Sequence, residues 1–167
     1  MNGSTLDVLV ATMASWPLSS ALRKSQWVYP LVNTGHVLGL ALLVGAITTL
    51  DVRLLGAGRT VALVPAAHLL IRVARAGFVL AVAMGGLLFL ARPDDYAFSQ
   101  LFRIKLLLIS VALINIYTLH RSMPWRMLMA GGDAVDGPAH PRIQFAAIVS
   151  MLAWLGVVLA GRLIGYR

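Results

Sequence analysis

Four histidines and no cysteine occur in this chain, so any metal or redox chemistry must rest on imidazole and thioether groups. The absence of thiols excludes disulfides, iron–sulfur clusters, thiolate zinc sites and covalently attached haem. His36 lies inside Asn33-Thr34-Gly35-His36, within a long apolar run where an ionisable group is expensive and functional by default. Its imidazole can ligate a metal, contact the head of a quinone-like molecule, or bond a neighbouring carbonyl. A b-type haem needs two axial ligands at one depth on different helices. Met84 matches the depth of His36, and His68 matches His120 near the opposite membrane face. The paired histidines of diheme cytochromes are not in place.

A second candidate group is His120, Met123, Met127, Met129 and His140, with Asp133 and Asp136 nearby. Thioether and imidazole ligands suit Cu(I), although methionines also anchor amphipathic loops at a membrane. A third is polar and structural. Asp51 at the end of the first apolar run is expected to pair with Arg72, with Asn115 and Gln144 as contacts between helices. The alternative for Arg72, on a stripe with His68 and Arg75, is to snorkel toward headgroups. Nucleophile–base sets, phosphate loops, HExxH and dinucleotide fingerprints are absent. No catalytic residue is assigned.

The elements that must position these side chains follow from composition. Of 167 residues, 59% are apolar and 12% charged, which excludes a disordered chain, a coiled coil and an ordinary soluble enzyme. The net charge of +8 resides mainly at the ends of apolar runs and in loops, where Lys and Arg meet lipid headgroups rather than nucleic acid. All six acids are Asp, and none lies clearly inside a span, unlike the interior acid of a proton pump.

Four runs, at about 28–50, 66–91, 100–120 and 143–164, each reach the roughly 20 residues needed to cross the hydrocarbon. Pro30, Pro65 and Pro141 mark helix starts, and Ser99 is a natural cap for the third run. The fold expected is all-α, a four-helix transmembrane bundle in a single domain over 1–167. Residues 4–25 read as an amphipathic segment lying on the bilayer, broken at Pro17, with Trp16, Trp27 and Tyr29 at headgroup depth. Lys and Arg divide seven against seven between the two sides, so charge does not orient the bundle. Gly35, Gly39, Gly77, Ala81 and Gly85, and Gly156 with Ala160, recur at spacing four and let helix backbones approach closely, most simply within the bundle itself.

Several segments together resemble a domain-of-unknown-function family of small four-helix bacterial inner-membrane proteins. They are Trp27-Val28-Tyr29-Pro30, Gly35-His36-Val37-Leu38-Gly39, Leu50-Asp51-Val52-Arg53-Leu54-Leu55-Gly56, Arg75-Ala76-Gly77-Phe78 and Phe102-Arg103-Ile104-Lys105. More distantly, the first-span His followed by Leu-Asp-x-Arg is similar to CopD-like and cytochrome b561-like membrane proteins. That resemblance implies haem, quinone or copper chemistry.

The functional expectation is a non-enzymatic accessory or anchor subunit of a larger membrane complex, one handling electron transfer. A small b-type cytochrome or quinone-reactive protein is the alternative, and a copper-handling protein the weaker one. Expected partners are the lipid bilayer and other membrane subunits, without nucleic acid. The cofactor, haem b or quinone, is left open.

Overall fold

A computed structural model describes residues 5–58, 60–131 and 139–166, and these form eight helices without a strand. The helices are α1 (Thr5–Ser15), α2 (Pro17–Lys24), α3 (Val28–Leu54), α4 (Leu63–Ala91), α5 (Pro93–Ala97), α6 (Gln100–Arg121), α7 (Met123–Met129) and α8 (Pro141–Ile164). Four of them, α3, α4, α6 and α8, are long and apolar enough to cross a membrane. The fold is therefore an all-α transmembrane bundle. Asp133 and Asp136 lie outside the described residues.

Helix starts follow local chemistry. Pro141 opens α8, while Pro30 and Pro65 are each the third residue of their helix. All three fall in the first turn, whose N–H groups have no intrahelical acceptor, so the missing donor costs nothing. The Ser99 hydroxyl accepts from Phe102 N at 3.4 Å and caps α6, and Ser122 does the same for Trp125 N on α7. His140 caps α8, its Nδ1 accepting from Arg142 N at 3.2 Å.

The first span is longer than its apolar run. It continues through Asp51 and Arg53 to Leu54, and all three are buried. The reason is a cover formed by α7 and the start of α8, where Trp125, Leu128, Ala139 and Ile143 pack on Leu50 and Leu54. Ala139 N donates to Leu54 O at 3.3 Å, which satisfies one of the carbonyls left over at the end of α3. Arg53 is equally committed, with Nε donating to Val61 O at 3.1 Å across the following loop.

Packing runs α4 along α3, α3 against α8, and α8 along α6, whereas α4 and α6 form no comparable seam. The α3–α4 seam is a backbone contact. A Cβ on Gly39 would lie 2.6 Å from Ala81 N, and one on Gly77 would lie 2.6 Å from Leu43 N. Lipid tails are as apolar as leucine, so close packing of this kind rather than exclusion of water must hold the pair together. Leu43, Ala46, Ile47, Ala74, Ala112, Ala153, Trp154 and Val157 form the centre of the bundle.

The N-terminal arm breaks at Trp16 and Pro17, as the position of the proline predicts. Helix α2 packs on α4 and α3, and α1 packs on α5, while Val8, Leu9, Trp16 and Leu18 remain exposed. These exposed apolar side chains, together with Trp27, suit a helix pair resting at the membrane surface. Arg23 pins the arm, donating from Nη1 to Ala91 O at 3.1 Å and from Nη2 to Ala14 O at 2.8 Å.

Candidate functional site: an intramembrane cavity

The missing α4–α6 seam leaves space. A cavity of about 600 Å3 lies among the four spans, in the half of the bundle that contains the ends of α3 and α6. Its inner wall is Leu43, Ala46, Ile47 and Leu54 from α3 with Ala146, Ser150 and Trp154 from α8. Trp125 of α7 also lines it, in ring contact with His120 at 4.9 Å between centroids. Val79 on α4 and Leu113 and Tyr117 on α6 also line it, and these are exposed. The opening is thus lateral, between α4 and α6, toward lipid.

The lining is almost wholly apolar, with a few polar groups placed on it. Ser150 hydrogen-bonds the side chain of Asp51, which is buried. Asn115 Nδ2 donates to Ala146 O at 2.8 Å and ties α6 to α8. His120 Nδ1 lies 2.8 Å from Ile116 O. A carbonyl only accepts, so Nδ1 carries the proton and the lone pair is on Nε2.

Three buried side-chain atoms among the described residues have no hydrogen-bond partner: Asp51 Oδ2, His120 Nε2 and Trp154 Nε1. All three belong to residues that line this one cavity. Buried polar groups are nearly always paired, and an unpaired one is accounted for by strain, an ordered water or a ligand. A largely apolar pocket with a few convergent polar groups is the form that small-molecule sites take.

The other candidates are arranged differently. His36 Nδ1 lies 2.8 Å from Ala81 O and so donates to it, fixing the ring in the α3–α4 seam. A Cβ on Gly85 would approach His36 Cε1 to 2.9 Å, and one on Gly35 would approach Met84 Cγ to 3.1 Å. His36 and Met84 sit at neighbouring levels of the seam, each against a glycine of the facing helix, and backbone contact at Gly39 and Gly77 closes the seam beyond them. His68 is exposed on α4 and does not reach the cavity that His120 lines.

Asp51 does not pair with Arg72. Arg72 is exposed on α4 while Asp51 turns inward to Ser150, and the salt bridge found among the described residues is Arg92–Asp95 at 3.7 Å. Gln144 Nε2 donates to Ala139 O at 2.7 Å, a bond within the lead-in to α8 and not to another span. The candidate copper ligands are not gathered. Met123 and Met127 are exposed, Met129 packs against the core, and His140 serves as the α8 cap.

Ser150, Trp154 and Trp125 are site residues that sequence reasoning did not single out. A signal existed in the first two. Ser150 is polar in mid-span, and Trp154 lies one helical turn further along, well inside a span rather than at the headgroup depth tryptophan prefers. Comparison with protein families, curated proteins and solved structures finds no match to this chain.

Proposed function

We propose that this chain is a non-enzymatic subunit of a bacterial inner membrane that holds a quinone-type lipophilic molecule in the cavity between its spans. The reading rests on one observation: the three residues that carry unpartnered buried polar atoms all line a single apolar cavity open toward lipid. A ring with oxygen substituents offers an acceptor for the Trp154 indole and, where it bears a hydroxyl, a donor for His120 Nε2, and an apolar tail can leave between α4 and α6. Water-soluble ligands fit poorly, because the walls are almost wholly apolar.

An accessory role in an electron-transfer assembly is consistent with how little α4 and α6 bury within the bundle compared with α3 and α8. Those outer faces are free for lipid or for a neighbouring subunit.

The test is solvent extraction of protein purified in mild detergent, with isoprenoid quinones quantified against protein. Ala74 lines the cavity and is buried, so Ala74→Leu should fill part of it without adding polarity. The expected result is a near-stoichiometric quinone in the parent chain and at least a tenfold loss in the filled variant. Equal amounts in both, or none after incubation with excess quinone in nanodiscs, would reject the proposal.

A further inference from the structure

Resting on the accessory-subunit part of that reading and on nothing held in the cavity, we infer that the lipid-facing side of α4 docks a transmembrane helix of a different subunit. That helix carries a carboxylate at the depth of Arg75.

His68, Arg72, Arg75, Val79, Val82 and Gly86 follow one another along α4 at alternating steps of four and three, and all are exposed. This spacing holds them on one face, the kind of seam along which a second helix packs. The face is turned away from α3, which α4 meets through Gly77 and Ala81. Beside it lies the gap where α4 and α6 form no seam. A Cβ on Gly86 would meet nothing within 4 Å, so the room at that level is outside the bundle.

Arg75 sits inside the membrane. Helix α4 has 29 residues, about 43 Å of length against about 30 Å of hydrocarbon. Arg75 is about 18 Å from the start of the helix, so it lies at least about 5 Å below the hydrocarbon surface wherever the helix is set. Its neighbour Ala74 packs at the centre of the bundle with Leu43 and Trp154. Neither Arg72 nor Arg75 forms a hydrogen bond or ion pair among the described residues. An unpaired cation at such depth is costly, and where one persists an anion matches it. Snorkelling relieves Arg72, but Arg75 shares that route from one turn deeper, and cations on one helix face repel each other.

This chain does not supply the anion. Asp51, the one acid in its spans, is buried and turned to Ser150. Asp7, Asp94 and Asp95 belong to α1 and α5, outside the spans, and Asp133 and Asp136 fall between α7 and α8. A second copy would therefore set one basic face against another with no carboxylate at their level. A different helix with a single Asp or Glu meets both needs. Its carboxylate accepts from Arg72 and Arg75, and its apolar remainder packs on Val79, Val82 and Gly86.

The test uses the full chain with a donor fluorophore at its N-terminus, in vesicles of neutral phosphatidylcholine, and apolar transmembrane peptides that carry an acceptor. One peptide has Glu at the depth of Arg75, one has Gln there, and one has Glu two turns deeper. The first should associate about tenfold more tightly than the other two, as a charge-assisted bond between helices implies. Arg72→Leu with Arg75→Leu should abolish that preference, and because both leucines face lipid the bundle should melt as before. Gly86→Leu should weaken all three peptides by about threefold or more and leave the preference for Glu intact. Equal association of the Glu and Gln peptides, or a Glu preference that survives the double change, would overturn the inference. Loss of the preference when phosphatidylglycerol replaces part of the lipid would assign both cations to headgroups and overturn it as well. So would energy transfer between two labelled copies of the chain that the double change removes, which would give the face to a second copy. None of these outcomes alters the quinone content that tests the cavity.

Discussion

Asp51 near the end of α3 and Ser150 in the middle of α8 share a hydrogen bond, and this contact joins the two most buried spans. It sets the cavity's polar wall and leaves the second carboxylate oxygen facing a partnerless interior. Removing Ser150 alone strands the carboxylate, at a cost of about 1–3 kcal/mol for an unsatisfied buried group. The double change Asp51→Leu with Ser150→Ala should therefore cost less than the sum of the single changes, with a coupling of about 0.5–3 kcal/mol. Asp51→Leu combined with Arg72→Met should be additive within about 0.5 kcal/mol. Thermal unfolding in detergent measures both cycles, and a larger coupling to Arg72 than to Ser150 would contradict the packing described.

The α3–α4 seam predicts a contrast among glycines of the same two helices. Gly39→Ala and Gly77→Ala drive a methyl group to 2.6 Å from backbone nitrogen, where no side-chain rotation can relieve it. Each should destabilise the bundle by about 1–3 kcal/mol or more as the helices separate. Nothing lies within 4 Å of a Cβ built on Gly45 or Gly86. Alanine at those positions should be neutral or stabilising by up to about 1 kcal/mol, the usual helix advantage over glycine. Melting temperatures of the four variants decide the matter.

The spans were legible because a run of about 20 apolar residues has few other uses, and Ser99, Pro141 and Pro17 carry local signals that tertiary context did not override. What sequence could not supply is rotation about each helix axis. Asp51 and Arg72 lie near the same membrane face, so pairing them was reasonable, yet Arg72 points outward. A helix that is apolar nearly all round carries no amphipathic pattern to reveal which face is inside. The same ambiguity hid the cavity, since Ser150 and Trp154 become site residues only once α8 is turned toward α3. Helix α7 was hidden for a different reason: its short Met123–Met129 stretch is stabilised by covering the ends of α3 and α8, not by its own periodicity.

Arg23 should govern the N-terminal arm without governing the bundle. Its two guanidinium contacts join the end of α4 to α1, and both are made to backbone carbonyls. A lysine offers one compact ammonium and cannot span both acceptors with the same fork. Arg23→Ala and Arg23→Lys are both expected to raise amide exchange across residues 5–24 about tenfold, which corresponds to roughly 1.4 kcal/mol. Exchange within α3 and α8 should stay unchanged. Loss of protection throughout the spans would mean that the arm is part of the core instead of a segment docked on it.

A last prediction concerns alkaline pH at the membrane face that holds α5. Tyr96 joins an aromatic cluster with Phe89 at 6.2 Å and Phe102 at 5.7 Å between ring centroids. Burial raises its phenol above the ordinary value of 10.0, Tyr29 and Asp95 add to the rise, and Arg92 opposes it. A group whose folded pKa is raised holds its proton more tightly in the folded state. Its contribution is therefore complete below pH 10 and declines as pH climbs through the folded value. The parent chain should lose α5 docking above pH 10, seen as rising proteolytic cleavage near Pro93–Ala97. Tyr96→Phe keeps the ring and removes the titrating group, so its cleavage should be flatter with pH across that window. Parallel pH profiles for the two proteins would show that the phenol does not control the docking.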